Sequence, residues 1–314
     1  LKLPAILSEV LLGIIIYKLI AKKSFLWAKI ALWFVILNPA VIFNSSVWGQ
    51  IDGLLTTLLI LSIIFLNQKR LIFSSIFFAL GLLIKPQAIL IMPVFIFYFL
   101  FNTPIKNILK FASILLITIY TLSYPFFVTN PIIGPLNLFA QMIADYPHTS
   151  AFAYNLWGII GFWVYDSQKF IGFTYQNIGF YLVVIYWITI GFLYFKKKLS
   201  LFSLASLAAL SFYFLPTRVH DRYLYPALIF LVITAALLRS YLLLGLNIAL
   251  SLIHFLNLYY VYIYYNELYL NLPKILYNPF VYGILDTNGK VFSLISVITF
   301  FLITAVIIKQ DAKT

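Results

Sequence analysis

Long apolar runs separated by short polar breaks dominate the chain. They predict eleven membrane-crossing segments, at about 4–21, 25–43, 50–66, 71–84, 88–101, 108–128, 176–195, 199–215, 224–238, 241–260 and 290–308. Each is near the roughly 20 residues that cross a bilayer, and several are shorter. The pair 71–84 and 88–101 reads either as a hairpin turning at Lys85-Pro86 or as one long kinked helix. Pro86 biases Lys85 away from helix, which favours the hairpin. Two connections are long, 129–175 and 261–289, and both are rich in Tyr and Pro. They are too aromatic for disordered linkers and are expected at the membrane interface. There is no internal repeat. The expectation is one all-α polytopic membrane unit over 1–314, a transmembrane helix bundle with two long outer loops.

Composition agrees with that class. Hydrophobic residues fill 64% of 314 positions and charged residues 9%, against about 25% charged in a soluble domain. The formal charge of +13 raises the question of nucleic acid, but position answers it. With the hairpin, 14 of the 21 Lys and Arg fall on one side: Lys18, Lys22, Lys23, Lys29, Lys69, Arg70, Lys106, Lys110, Lys196, Lys197, Lys198, Arg239, Lys309 and Lys313. The positive-inside tendency makes that side cytoplasmic. The acids were not used in that assignment, yet Glu9, Asp52, Asp145, Asp166, Asp221, Glu267 and Asp286 all fall towards the outer side. The basic balance is juxtamembrane, so membrane lipids are the expected partner and nucleic acid is not. The absence of Cys excludes thiol chemistry and disulfides. His148 has nothing at metal-ligand spacing beside it, and neither metal nor cofactor is expected.

Polar chemistry therefore gathers at the outer face, in four elements. The first is Asn38-Pro39 through Trp48-Gly49-Gln50-Ile51-Asp52. Pro39 breaks a helix, Asn44-Ser45-Ser46 offers oxygens to cap the next one, and Asp52 opens it. A carboxylate there complements the helix N-terminus and is either a plain cap or a functional group. The second is Lys85-Pro86-Gln87. The third is Tyr146-Pro147-His148 continuing to Ala153-Tyr154-Asn155-Leu156-Trp157. The fourth is Arg218-Val219-His220-Asp221-Arg222-Tyr223. If helical, Arg218 and Arg222 share a face at i, i+4 and present two guanidinium forks to a phosphate. The alternative is an interface pair that grips lipid headgroups, which is also phosphate recognition. Near the first helix, Lys2 and Glu9 could pair across two turns, or Glu9 could partner Lys85. His254, with Asn247 and Asn257, reads as an interhelical hydrogen-bond partner. The Tyr259–Tyr265 run reads as an interface belt that could also contact a saccharide.

These four motifs, in this order and on one face, resemble the GT-C superfamily of polytopic glycosyltransferases. The nearest resemblance is to prokaryotic mannosyltransferases similar to the second mannosyltransferase of GPI-anchor assembly. More distantly the chain is similar to glucosyltransferases of N-glycan precursor assembly, where a Val-His-Glu-Lys-type motif matches Val219-His220-Asp221-Arg222. The resemblance implies transfer of a hexose, mannose foremost, from a polyprenyl-phosphate carrier to a glycan, lipid or protein acceptor. It implies inversion at the anomeric carbon, no cofactor, and a site on the extracytoplasmic side of a prokaryotic plasma membrane.

Under that resemblance Lys85, Arg218 and Arg222 are candidates for the phosphate. Gln50, Asp52 and Asn155 are candidates for the sugar or acceptor. His220 either donates to the phosphate or is held by Asp221. The family carries its acidic base on a large outer loop after its first helix, and Leu1–Glu9 resembles the start of the second helix. The catalytic base is therefore expected upstream of Leu1, and the piece 1–314 is expected to be inactive. Two other readings remain, a lipid-sugar flippase or secondary transporter and a non-catalytic subunit with the same fold. Charges at helix ends and the lack of repeats weigh against the transporter.

Overall fold

The computed structural model describes residues 2–312, so Lys313 lies outside the described residues. The described chain folds as α1 (Leu3–Ala21), α2 (Phe25–Leu37), α3 (Pro39–Ile42), α4 (Asp52–Asn67), α5 (Leu71–Ile84), α6 (Met92–Asn102), α7 (Ile105–Ser123), α8 (Ile133–Ala144), α9 (Tyr175–Phe195), α10 (Leu201–Phe214), α11 (Tyr225–Leu237), α12 (Tyr241–Tyr262) and α13 (Pro279–Asp311). The strands are two-residue pieces: β1 (Ser150–Ala151), β2 (Lys169–Phe170), β3 (Phe173–Thr174) and β4 (Val219–His220). β1 runs parallel to β4, and β2 pairs antiparallel with β3.

Each of the apolar segments read from the sequence contains a helix. Among the described residues, five helices are long and apolar enough to cross a membrane: Leu3–Ala21, Ile105–Phe126, Tyr175–Phe195, Tyr241–Tyr269 and Pro279–Asp311. Phe25–Leu37 with Pro39–Val47, bent by 41°, makes a sixth. The chain is thus an all-α integral membrane protein. Five or six crossings meet that length; the remaining apolar helices, among them Asp52–Asn67, Leu71–Ile84, Pro86–Asn102 and Leu201–Phe214, are shorter. α10 and α11 have 14 and 13 residues and are buried on nearly every side. A helix that is apolar all round is either a core helix or a span, and only length separates the two.

The turn at Lys85 is a true reversal. The Phe78 and Phe95 rings lie 4.5 Å apart, whereas 17 residues of straight helix would separate them by about 25 Å. A 3-10 segment, Pro86–Ile91, makes the return. Turns rich in Lys and Arg tie together at one end of the bundle. There Arg239 Nη2 donates to the Lys23 carbonyl (3.1 Å), and the Ser200 N–H donates to Asp311 Oδ2 (2.6 Å). Between the ends, polar side chains join helices, as between Ser206 and Thr234 (2.8 Å), or Ser75 Oγ to the Phe111 carbonyl (2.7 Å).

One expected loop is largely helix. α12 continues as a π-helical turn, Ile263–Tyr269, and α13 starts at Pro279, well before the expected 290. Asn278 Oδ1 accepts from the Phe280 and Val281 N–H groups (3.0 and 3.2 Å), so the cap sits where the sequence showed only a polar stretch. Asn288, at φ −107°, marks a kink inside α13. The Tyr run is not a belt facing lipid along its length. Tyr260 is buried, and Tyr264 and Tyr265 pack on Phe152 at 5.0 and 5.9 Å.

Candidate functional site

The end opposite the basic turns gathers 44–52, 85–87, 146–166 and 216–225. Asn38 starts the construction. Its Oδ1 accepts from the Ala40 N–H (2.9 Å) and from Ser251 Oγ of α12 (2.6 Å), which fixes the break between α2 and α3. Phe43–Val47 then winds as a π-helix, a geometry frequent at functional sites. Gly49 follows at φ +79°, in the left-handed region that glycine enters without cost.

The expected cap on α4 is absent. Its N-cap position is Ile51, and no side chain caps it. Asn44 and Ser45 are buried and bind carboxylates instead, because the π-turn aims them inward. Asn44 Nδ2 donates to Asp52 Oδ2 (3.1 Å), and Ser45 Oγ donates to Glu9 Oε2 (2.6 Å). Asp52, in the first turn of α4, is fully buried and also takes Lys85 Nζ on Oδ1 (2.6 Å). Tyr225 O–H donates to Glu9 Oε1 (3.1 Å). Gly53 permits this crowding, since a Cβ there would stand 2.8 Å from Glu9 Cγ and 3.3 Å from the Tyr225 oxygen. Neither expected partnership of Glu9 forms: Lys2 Nζ reaches the Val47 carbonyl (2.6 Å), and Lys85 takes Asp52.

The segment 216–224 is not one helical face. Arg218 sits at φ +64°, β4 follows, and a 3-10 turn over Asp221–Leu224 leads into α11. The two arginines therefore diverge. Arg218 donates from Nε and Nη2 to the two oxygens of buried Asp166 (2.7 and 3.4 Å), and Thr217 Oγ1 adds a bond to Oδ2 (3.1 Å). That pairing commits two donors of the Arg218 fork to Asp166 and turns it away from Arg222. Arg222 instead lies with its guanidinium carbon 5.9 Å from the Trp48 ring centroid, and its Nε is buried with no hydrogen-bond partner. His220 packs between Tyr146 (4.7 Å) and Tyr223 (5.3 Å).

Burial sets the charge states here. It pushes the Asp221 carboxyl up to about 6, with Arg222 opposing and Asp52 adding to the rise. Burial, then the positive charges of Arg222 and Lys85, press the His220 imidazole down to about 4. His220 is thus neutral at pH 7, a single N–H donor rather than a cation. These electrostatic couplings also place Asp52, Lys85, His220, Asp221 and Arg222 in one neighbourhood.

Of the residues selected from sequence, Asp52, Lys85, His220 and Arg222 come together. Gln50 is half-buried beside them, its N–H donating to the Asn44 carbonyl (2.9 Å). Asn155 does not join. It is fully buried, its Nδ2 donates to the Tyr213 carbonyl (3.0 Å), and its Oδ1 accepts from Trp157 and Gly158 N–H (both 3.1 Å). It braces a turn, buried away from the charged cluster. Sequence reasoning missed Asn44, Ser45 and Tyr225 as partners of the carboxylates and paired Glu9 with Lys2 or Lys85. The scarcity of acids in so apolar a chain was the available signal for Glu9.

The site has unmet bonding capacity. Asn44 Oδ1, Gln87 Oε1, Asp221 Oδ2 and Arg222 Nε are buried without hydrogen-bond partners. An apolar cavity of about 330 Å³ lies against the last turn of α5, lined by Leu83, Ile84, Leu122, Phe126 and Phe127 and by Leu138 and Phe139 of α8; Ile84 directly precedes Lys85 in the chain. Among the described residues, no group of three or more His, Asp or Glu is placed to hold a metal ion. No protein-family model matches the chain, and no curated protein matches it.

Proposed function

We propose that this end of the bundle is the donor-phosphate half of a hexosyltransferase of the GT-C type, using a polyprenyl-phosphate sugar and working on the extracytoplasmic face. One observation carries the reading. Arg222, Asp221, Gln87 and Asn44 each hold a buried polar atom without a partner, around the Lys85–Asp52 pair. Buried polar atoms are normally satisfied, so these four mark room for a polar ligand: Arg222 Nε is a donor and suits a phosphate oxygen, whereas Asn44 Oδ1, Gln87 Oε1 and Asp221 Oδ2 are acceptors and suit sugar hydroxyls. The apolar cavity lined by Ile84, one residue before Lys85, suits a lipid chain whose phosphate would reach Lys85 and Arg222.

The chemistry follows from charge. As the glycosidic bond to phosphate breaks, negative charge grows on the leaving oxygen. Arg222 stabilises it with a fork of donors, and Lys85 with a point charge already aimed by Asp52. Neutral His220 adds one N–H. Asp52, held on both oxygens, orients Lys85 more than it abstracts protons, and we assign sugar hydroxyls to Gln50 as well. The acceptor hydroxyl attacks the anomeric carbon and needs a carboxylate to take its proton.

The test is release of polyprenyl phosphate from polyprenyl-phosphate mannose in proteoliposomes, on addition of glycan acceptors. No release by the full-length protein with any hexose donor ends the proposal. Sidedness is checked separately, since the chain has no Cys. A thiol introduced by Lys274→Cys should react with an impermeant reagent from outside, and one at Asn67→Cys should not. A lipid-sugar flippase is the second reading, favoured by His254 of α12, which is buried in the bundle with both ring nitrogens unpartnered. Translocation without bond cleavage would select it.

A further inference from the structure

We propose that a half-exposed aromatic shelf beside Arg222, formed by Tyr146, Trp163, Tyr264, Tyr265 and Tyr282 with the carboxylate of Asp286, is a saccharide-binding platform that seats the acceptor as a glycan. The inference rests on the transferase reading and names the acceptor class for it.

Continuity with the site comes first. Tyr146 packs on His220, two residues before Arg222, at 4.7 Å, and Tyr265 joins the same group of rings through Phe152 at 5.9 Å. From there the rings follow one another. Tyr264 stands perpendicular to Tyr265 at 5.1 Å, and Trp163 lies 6.3 Å from Tyr146. Beneath them Phe152 and Tyr260 form a buried floor, with Phe152 5.6 Å from Trp163 and 5.0 Å from Tyr264. At the far side Tyr282 stacks on Tyr260 at 5.2 Å. The shelf is assembled from three distant parts of the chain, 146–163, 260–265 and 282–286.

Its polar groups are placed, not scattered. The buried Tyr260 O–H donates to Asp286 Oδ1 (2.8 Å), which fixes one oxygen of an exposed carboxylate and leaves the other as an acceptor. Pyranose rings present an apolar C–H face and an edge of hydroxyls. Aromatic rings with an apolar body and a polar tip match both, and a carboxylate accepts two hydroxyls at once. A few fixed polar groups among aromatic walls is also the common make-up of small-molecule sites.

Two backbone features mark the same place. Phe152 and Trp163 both hold positive φ, 61° and 59°, uncommon for bulky side chains. The π-helical turn Ile263–Tyr269 carries Tyr264 and Tyr265; π-turns inside helices recur at functional sites. A belt that only anchors the protein in lipid needs neither the bound carboxylate nor these backbone features.

The experiment uses full-length protein in a sugar-free detergent. α-Mannotriose and cellotriose are the saccharide probes, read by saturation-transfer NMR, and farnesyl phosphate is the probe of the Arg222 site. At least one trisaccharide should bind. Tyr264→Ala and Tyr282→Ala should each weaken it by about three- to tenfold, the worth of one aromatic contact. Asp286→Asn should weaken it, while Tyr282→Phe should keep wild-type binding. Retained farnesyl phosphate binding in these variants shows that they are folded. No trisaccharide binding up to about 10 mM, or wild-type binding in both alanine variants, overturns the platform. If farnesyl phosphate binds and saccharides do not, the platform fails and the transferase reading stands. If saccharides bind and farnesyl phosphate does not, the Arg222 site fails and the platform stands.

Discussion

Arg218 and Arg222 are four residues apart, at the same end of the same bundle, and their surroundings are opposite. Arg218 is locked to Asp166 with two bonds, and its backbone N–H donates to the His148 carbonyl (2.9 Å). With β1 pairing to β4, this clamp fastens 148–166 onto 217–220. Arg222 has Trp48 on one side and buried Asp221 next to it in the chain, and its Nε is unsatisfied. Both arginines are half-buried, but Arg218 spends its fork on a buried carboxylate and so holds two segments together, whereas Arg222 keeps a buried Nε with bonding capacity left over. The difference arises because the segment between them is a strand and a 3-10 turn rather than a helix, so the two side chains leave in different directions.

The largest expected effects break this comparison directly. Arg222→Ala should reduce donor cleavage about a hundred- to a thousandfold, the cost of losing one preorganised charged donor, with the melting temperature unchanged. Arg222→Lys should keep part of the activity, because a point charge remains. Arg218→Ala should do the reverse. It strands the buried Asp166 carboxylate and should cost about 2–3 kcal/mol of stability, discounted for the partial exposure of Arg218. Asp166→Asn combined with Arg218→Gln should recover much of that loss. Equal thermal losses in the two alanine variants, measured by melting in detergent, would erase the distinction between clamp and site.

A second pair of measurements sharpens the same contrast through pH. Folded Asp221 keeps its proton to about 6, above the ordinary carboxylate range. Its contribution to stability is therefore complete at acid pH and lost as pH rises through about 6. Folded His220 resists protonation down to about 4, so its contribution is complete above the ordinary imidazole value and lost as pH falls through about 4. Each amounts to about 3 kcal/mol, and they run in opposite directions between pH 4 and 6.5. The charged groups facing them are Arg222, Lys85 and Asp52. Asp221→Asn should leave a protein that gains stability from pH 4 to 6.5. His220→Gln should leave one that loses stability over the same window. Parallel slopes in the two variants would show that the residues do not sit in the environment described.

What was legible in the sequence was the class and the gathering of polar motifs at one end. Apolar runs located the helices, and the Lys85–Pro86 break located the reversal, because proline acts on its neighbours locally. Lys85, Asp52, His220 and Arg222 were readable as one group because all fall at helix ends on the same side. Arg218 was not readable, since its partner Asp166 is 52 residues away and no local pattern announces the pair. Asn155 was chosen for its polarity in an apolar stretch, and that polarity serves a turn. The missing cap on α4 has the same cause. Asn44 and Ser45 are ideal capping types, but the π-turn rotates them towards Asp52 and Glu9. The length of α13 was hidden by Asp286-Thr287-Asn288, which read as loop; Asp286 and Thr287 are helical and only Asn288 departs from helix, at a kink.

The smallest expected effect lies at Gly53, where the open site meets the packed bundle. A Cβ there would stand 2.8 Å from Glu9 Cγ, 3.1 Å from Ser8 Oγ and 3.3 Å from the Tyr225 oxygen. Two of these are ends of side chains, which can shift, so Gly53→Ala should fold. Alanine favours helix by about 1 kcal/mol over glycine, and overpacking costs about 1–3 kcal/mol. The net should be a loss of about 1 kcal/mol. The displaced groups are Glu9 and Tyr225, one step from Asp52, so donor binding should weaken by less than about tenfold, well short of the Arg222→Ala loss. The clamp at Asp166 shares no contact with Gly53, so Gly53→Ala combined with Arg218→Ala should give additive losses in melting temperature. A clear departure from additivity would mean that clamp and site are one mechanical unit, and that the contrast between the two arginines is a matter of degree.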